Sequence, residues 1–196
     1  MSADLNPAVL ANFAKMAMRR LRALPDGKGA EIREILGNHR WEAIRTVAAE
    51  SWLELGEMIA FCDAIAAVLG EQGSREFWTA LMLDTYDTGL LRPMADDVRA
   101  SHRGPDASQQ LIRLAPTAWG LVTRRCGAIE MVDDGDGRLR LHSGTLLPQV
   151  VRSRGIQALF VGACQSMLDQ FRARARIEVT VDPADPDRIA YTIIPL

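Results

Sequence analysis

The chain has 196 residues, 48% hydrophobic and 24% charged, with a formal net charge of −2. These are proportions of an ordinary globular domain long enough for a substantial core. They exclude a disordered chain and a nucleic-acid binder that relies on a strongly basic surface. No 18-residue apolar run and no signal peptide is visible, so no transmembrane segment is expected and the expected location is cytoplasmic. Cys62, Cys126 and Cys164 are odd in number and widely spaced, without a C-x-x-C pair. That pattern fits reduced thiols better than a disulfide framework.

In chain order, Asn6-Pro7 reads as a cap with proline at the first helical position. Val9, Leu10, Phe13, Met16, Ala17, Leu21 and Leu24 then form one apolar helical face, with Lys15, Arg19, Arg20 and Arg22 making the other side basic. Such a helix packs on protein, here as a core or dimer-contact element. A basic amphipathic helix over residues 6–24 can also rest on an anionic membrane surface. Pro25-Asp26-Gly27 ends it, so residues 1–27 read as an N-terminal amphipathic segment. Short helices are expected at Glu31–Leu36 and from about Arg40 to Ala49. A long helix capped at Ser51 runs to Gly70. The next begins at Gly73-Ser74, with Phe77, Trp78, Leu81, Met82 and Tyr86 inward. Ser101–Ala107 reads as a flexible loop. Ser108 caps a further helix carrying Leu111, Ile112, Leu114 and Ala115, which Pro116 can kink before Trp119.

The C-terminal part carries the clearest strand signals. Ile129–Val132 and Arg138–His142 flank the turn Asp133-Asp134-Gly135-Asp136-Gly137. Ile177, Val179 and Val181 alternate with polar residues. Asp182–Asp187 turns the chain, and Ile189, Tyr191 and Ile193 return. Alternation implies one wet face and antiparallel pairing. Between the two hairpins, Pro148–Arg172 reads as one helix. Ile156, Phe160, Ala163, Cys164, Met167 and Phe171 form its apolar stripe. Gly155, Ala158, Gly162 and Ser166 form a second stripe of small residues. Glycine in a helix costs about 1 kcal/mol against alanine, so the second stripe implies close backbone approach, by packing or by a ligand. The expected fold class is α+β: an N-terminal helical half (28–127) packed on a ββαββ half (128–196) with a four-stranded antiparallel sheet, together one domain over 28–196.

Three stretches in this layout are distinctive: Trp52–Gly73 (WLELGEMIAFCDAIAAVLGEQG), Leu111–Arg124 (LIRLAPTAWGLVTR) and the hairpin end GRLRLHSGTLLP leading into the long helix. With them, residues 31–196 resemble a bacterial family in the ligand-sensing fold of NO signalling and Golgi transport. That fold is shared by heme-NO-binding-associated domains, the four-vinyl-reductase domain and the transport-protein-particle subunits of vesicle tethering. The resemblance implies a regulatory signalling module that binds small apolar ligands or other protein chains and often dimerises, and not an enzyme. The three scattered cysteines depart from the clustered metal-binding cysteines of the four-vinyl-reductase domain. The NO-sensing heme domain is a separate domain in that family, and no heme motif is visible. No cofactor and no metal is therefore expected.

The chemistry-bearing residues point the same way. Cys164 with a histidine and a carboxylate is a conceivable triad, but no nucleophile signature surrounds it, and a mid-helix cysteine on an apolar face reads as a small buried hydrophobe. His39, His102 and His142 are dispersed. The 133–137 run lacks the spaced third acid and closing glutamate of a calcium loop. No phosphate-binding glycine motif is present. The expectation is a non-enzymatic sensor or regulatory module. Its pocket for a small apolar ligand would lie between the helical half and the ββαββ unit, lined by Trp119, Phe160, Cys164, Met167 and Cys62. The alternative is an interaction or scaffold module with a filled core, acting as a homodimer or through a protein partner, the unassigned N-terminal helix supplying the contact.

Overall fold

The computed structural model describes residues 6–182 and 184–196. Residues 1–5 of the expected N-terminal segment and Pro183 of the expected 182–187 turn lie outside the described residues. The fold is α+β, and its C-terminal part carries a four-stranded antiparallel sheet.

The chain opens with strand β1 (Ala8–Leu10), not directly with a helix, and helix α1 (Ala11–Leu21) follows. The apolar pattern alone predicts helix from Asn6, but here the backbone is taken up by pairing. β1 lies between β2 (Trp52–Glu54) and β3 (Thr123–Arg124) in a small antiparallel sheet, with Val9 opposite Leu53 and Thr123. Ala11 N–H also donates to Ser51 O at 2.9 Å, and Leu55 N–H donates to Pro7 O at 3.0 Å. α1 buries Ala11, Ala14, Ala17, Met18 and Leu21 in the same hydrophobic core as the later helices.

α2 (Lys28–Leu36) and α3 (Asn38–Thr46) follow. α4 (Leu55–Thr88) is broken at Gly70, where φ is 68° and ψ is −177°. Only glycine adopts that backbone readily, which explains the two helices the sequence pattern shows there. Ser74 Oγ donates to Gly70 O at 2.7 Å and closes the break from inside. α5 (Arg92–Ser101), α6 (Gly104–Arg113) and α7 (Ala115–Val122) complete the helical part. The expected loop at 101–107 is short, because Gly104-Pro105 already begins α6. Pro116 stands in the first turn of α7, where its missing N–H costs nothing.

In the second half, β4 (Glu130–Asp133) and β5 (Leu139–His142) form the first hairpin; β6 (Ala175–Asp182) and β7 (Asp185–Pro195) form the second. The sheet order is β4-β5-β7-β6. The Asp133–Gly137 run is a hairpin turn: Gly135 N–H and Arg138 N–H donate to the Asp133 and Asp136 carboxylates. Leu139, Leu141, Ile189, Tyr191 and Ile193 are buried on the inner face. Arg140, His142, Arg188 and Thr192 lie on the outer face.

The helix expected over 148–172 divides into α8 (Pro148–Arg152) and α9 (Arg154–Asp169). Ser153 separates them with extended backbone and caps α9 by accepting from Ile156 N–H at 3.0 Å. Serine at a cap lends its side chain to an otherwise orphaned N–H. α9 packs along both limbs of α4, and the small-residue stripe is the contact. A Cβ on Gly155 would lie 2.2 Å from the carbonyl carbon of Cys62, and one on Gly162 would lie 2.7 Å from Trp78 Cβ and 2.9 Å from Arg75 O. The stripe therefore serves helix packing. Asp63 fixes the crossing: Ser153 Oγ donates to its Oδ1 at 2.7 Å and Gly155 N–H at 2.9 Å.

Candidate ligand cavity

The larger-residue stripe of α9 faces the other way, into a cavity of about 100 Å³ open to the centre of a water-sized sphere. Its wall is drawn from both halves of the chain. α9 contributes Ile156, Leu159, Phe160, Ala163, Cys164 and Met167. α7 contributes Ala115, Ala118, Trp119 and Val122. α4 supplies Leu55, Met58, Met82, Thr85 and Tyr86. β1 and α1 supply Val9, Leu10, Asn12, Phe13 and Met16. None of the described residues that line it is charged. One water needs roughly 10–15 Å³ on this measure, and two to four polar partners. The cavity has room for several waters but almost nothing to hold them, so it favours an apolar occupant.

Of the residues expected at a pocket, Trp119, Phe160, Cys164 and Met167 meet on this wall. Cys62 does not. It is fully buried behind Gly155 at the α4–α9 crossing, on the packing side of α9. Aromatic contacts tie the wall to the sheet: the Phe160 ring centroid lies 5.3 Å from Trp119 and 5.4 Å from Tyr191. Trp119 Nε1–H donates to Gly127 O at 3.0 Å, which fixes the indole at the rim. Sequence reasoning missed Phe13 and Met16, although their apolar spacing was visible, because nothing in a helical face says which surface it meets.

Burial pushes the Cys164 thiol up to about 12. It likewise raises the Cys62 thiol and the Tyr86 phenol, with the Asp63 charge adding to the first. These groups stay protonated at neutral pH. That leaves Cys164 without the thiolate a nucleophile requires. Among the described residues no group of three or more His, Cys, Asp or Glu could hold a metal ion, and no helix is long and apolar enough to cross a membrane.

The fold, helices packed over an antiparallel sheet, is shared with solved H-NOX domains. The chain is similar to the K. algicida H-NOX protein in the Fe(II) unliganded state, at 12% identity and a TM-score of 0.64, covering 96% of this chain and 96% of that one. It is similar to a point mutant of T. tengcongensis H-NOX at 10% identity and a TM-score of 0.58, covering 95% and 97%. A third match is an oxygen-binding H-NOX domain related to soluble guanylate cyclases, at 8% identity, a TM-score of 0.56 and coverage of 94% and 92%. No family model matches the sequence, and no curated protein matches it. At such identities the likeness shows the fold alone.

Heme distortion is a feature of the H-NOX family, so the cavity must be tested for an iron porphyrin. Iron in heme proteins is held by imidazole, thiolate, phenolate or methionine paired with histidine. No histidine lines this cavity. His39 is exposed in α3. His142 sits on the outer face of the sheet. His102, at the end of α5, has a buried Nδ1 without a hydrogen-bond partner, but it is not part of the wall. Cys164 and Tyr86 are held neutral, and no cation faces the cavity to pair with acidic side arms. The lining does not fit heme.

Proposed function

We propose that the chain is a non-enzymatic sensor or regulatory module that binds a small, uncharged, apolar molecule in the cavity between its helical half and its ββαββ half. The observation that carries this reading is a cavity walled by both halves without a charged residue among the described ones. Apolar walls supply affinity, and a few polar groups supply orientation. Met16, Met58, Met82 and Met167 add adaptable thioether surface. Trp119, Phe160, Cys164 and Met167 are the contact residues on the α7 and α9 side. Occupancy would bear on α7, which buries only Ala115 fully, and on α1. The reading draws on the H-NOX fold for the idea of sensing and departs from it in the ligand.

Native mass spectrometry of gently purified protein, with an absorbance spectrum and a hemin titration, tests this. The expected result is extra mass that leaves on denaturation, with no heme absorbance band. A saturable one-to-one hemin complex that His102→Ala abolishes would overturn the heme-free reading.

A second reading, an interaction module acting as a homodimer or through a protein partner, is favoured by one observation. α7 is apolar, yet Leu121 on it is 49% exposed. Light scattering of the wild type and Leu121→Asp tests it: a dimer that the substitution dissociates would support it, and a wild-type monomer would remove the homodimer.

A further inference from the structure

A cavity that takes up a ligand also needs a way in. Of the described residues that line it, only Leu90 is exposed, at 43%; the others are buried or partly buried. Leu90 stands in the turn between α4 and α5, and its neighbour Leu91 is buried on the same wall. One side chain therefore touches both the interior space and bulk water. The backbone that carries it is held on both sides. Gly89 N–H donates to Thr85 O at 3.0 Å, and Arg92 N–H donates to Gly89 O at 3.2 Å. A Cβ on Gly89 would lie 2.8 Å from Thr85 O, so the turn sits directly against the last turn of α4. Asp87, just before it, accepts from Arg99 at 2.8 Å and from Gln170 Nε2 at 3.1 Å, which ties the turn to α5 and to the end of α9. Trp119, also at the rim, is fixed by its bond to Gly127 O. Leu90 carries no polar group to anchor it, and nearly half of it faces solvent. Its side chain can change rotamer while the backbone stays in place.

We infer that Leu90 is the gate of the cavity: its rotamer opens and closes the path by which a small apolar molecule enters at the α4–α5 turn. This rests on the ligand-site reading above and adds the route to it. Exposed side chains change rotamer faster than loops move, so a gate of this kind needs no opening of the fold. A gate and a wall contact differ in kinetics. A wall contact is lost when the ligand leaves, so trimming it acts mainly on dissociation. A gate obstructs both directions, so its size moves the association and dissociation rates together. The association rate is therefore the quantity that tells the two apart.

The test uses benzene as the probe, since dry apolar cavities in proteins take it up. Isotope-labelled methyl groups of Met16, Met58, Met82 and Met167, all on the wall, report occupancy and exchange rates by NMR. The wild type is compared with Leu90→Trp and Leu90→Ala, substitutions at an exposed position. The expected order of association rates is Leu90→Trp, wild type, Leu90→Ala, rising by about tenfold at each step, with dissociation rates in the same order. Association rates equal within about twofold across the three proteins, or a change confined to dissociation, would overturn the gate and leave the cavity reading standing. The same slowing in Ile35→Trp, at an exposed position off the wall, would also overturn the gate. Benzene that shifts none of the four methionine methyls in the wild type would overturn the cavity reading, and the inference with it.

Discussion

Gly155→Ala tests the α4–α9 crossing that sets the back of the cavity. The added methyl would lie 2.2 Å from the Cys62 carbonyl carbon, 2.3 Å from its oxygen and 2.5 Å from Asp63 N. Carbon contacts settle near 3.5–4 Å, so α9 must retreat by about 1 Å from a rigid backbone. Overpacking of this kind costs about 2 kcal/mol. The retreat also stretches the bonds from Ser153 Oγ and Gly155 N–H to Asp63 Oδ1, now 2.7 and 2.9 Å. Loss of one hydrogen bond to a charged group costs about 2 kcal/mol. Alanine's better helix propensity returns about 1 kcal/mol. The net is about 3 kcal/mol of destabilisation. With a urea dependence of about 2 kcal/mol per molar, the unfolding midpoint should fall by about 1.5 M, followed by tryptophan fluorescence. Gly120→Ala is the matched control, since no atom lies within 4 Å of its added methyl. It should gain up to about 1 kcal/mol. If Gly155→Ala unfolds within about 0.3 M of the wild type, the close crossing is refuted.

Cys164→Trp should fill the cavity, keep the fold and abolish the retained mass seen by native mass spectrometry; a collapse of the cooperative unfolding transition would mean the space is too small for the indole. The three thiols, all buried, should resist an aromatic disulfide reagent at pH 8 in the native protein and react together once the chain unfolds. Rapid native labelling of Cys164 would contradict its burial and raised pKa. His142 should make stability pH-dependent. Burial, then Arg140 and Arg188, hold its imidazole below the ordinary 6.5, against smaller opposing effects of Glu130 and Asp134. The unfolded chain therefore binds the proton more readily, so the contribution is present above the ordinary value and is lost as pH falls through the folded one. Between pH 7.5 and 5.5 the wild type should lose more stability than His142→Gln, and equal losses would refute this.

Local chemistry made much of this legible. The two hairpins follow from alternation, because a strand with one wet face must alternate, and from turn residues, Asp and Gly at 133–137 and Asp and Pro at 182–187. Gly70 and Gly73-Ser74 marked the break in α4, because only glycine takes the backbone found there. The stripe Gly155, Ala158, Gly162 and Ser166 announced a close approach, and the same helix announced a second, larger-residue face. Phe160, Cys164 and Met167 could be gathered from that periodicity, whereas Trp119 came from the separate helix after Pro116.

Only the tertiary structure decided what each face meets. A helical stripe is the same whether it lines a cavity or seals a contact, so Cys62 and the small stripe could not be told from lining by spacing. Pairing between β1 and the distant β2 and β3 turned the first residues from helix to strand, because those hydrogen-bond partners lie some 40 and 110 residues away in sequence. The lack of any charged or imidazole side chain among the described residues of the wall is a property of an enclosed space. Burial creates that space by bringing α1, α4, α7 and α9 together, and burial depends on the whole chain rather than on any local pattern.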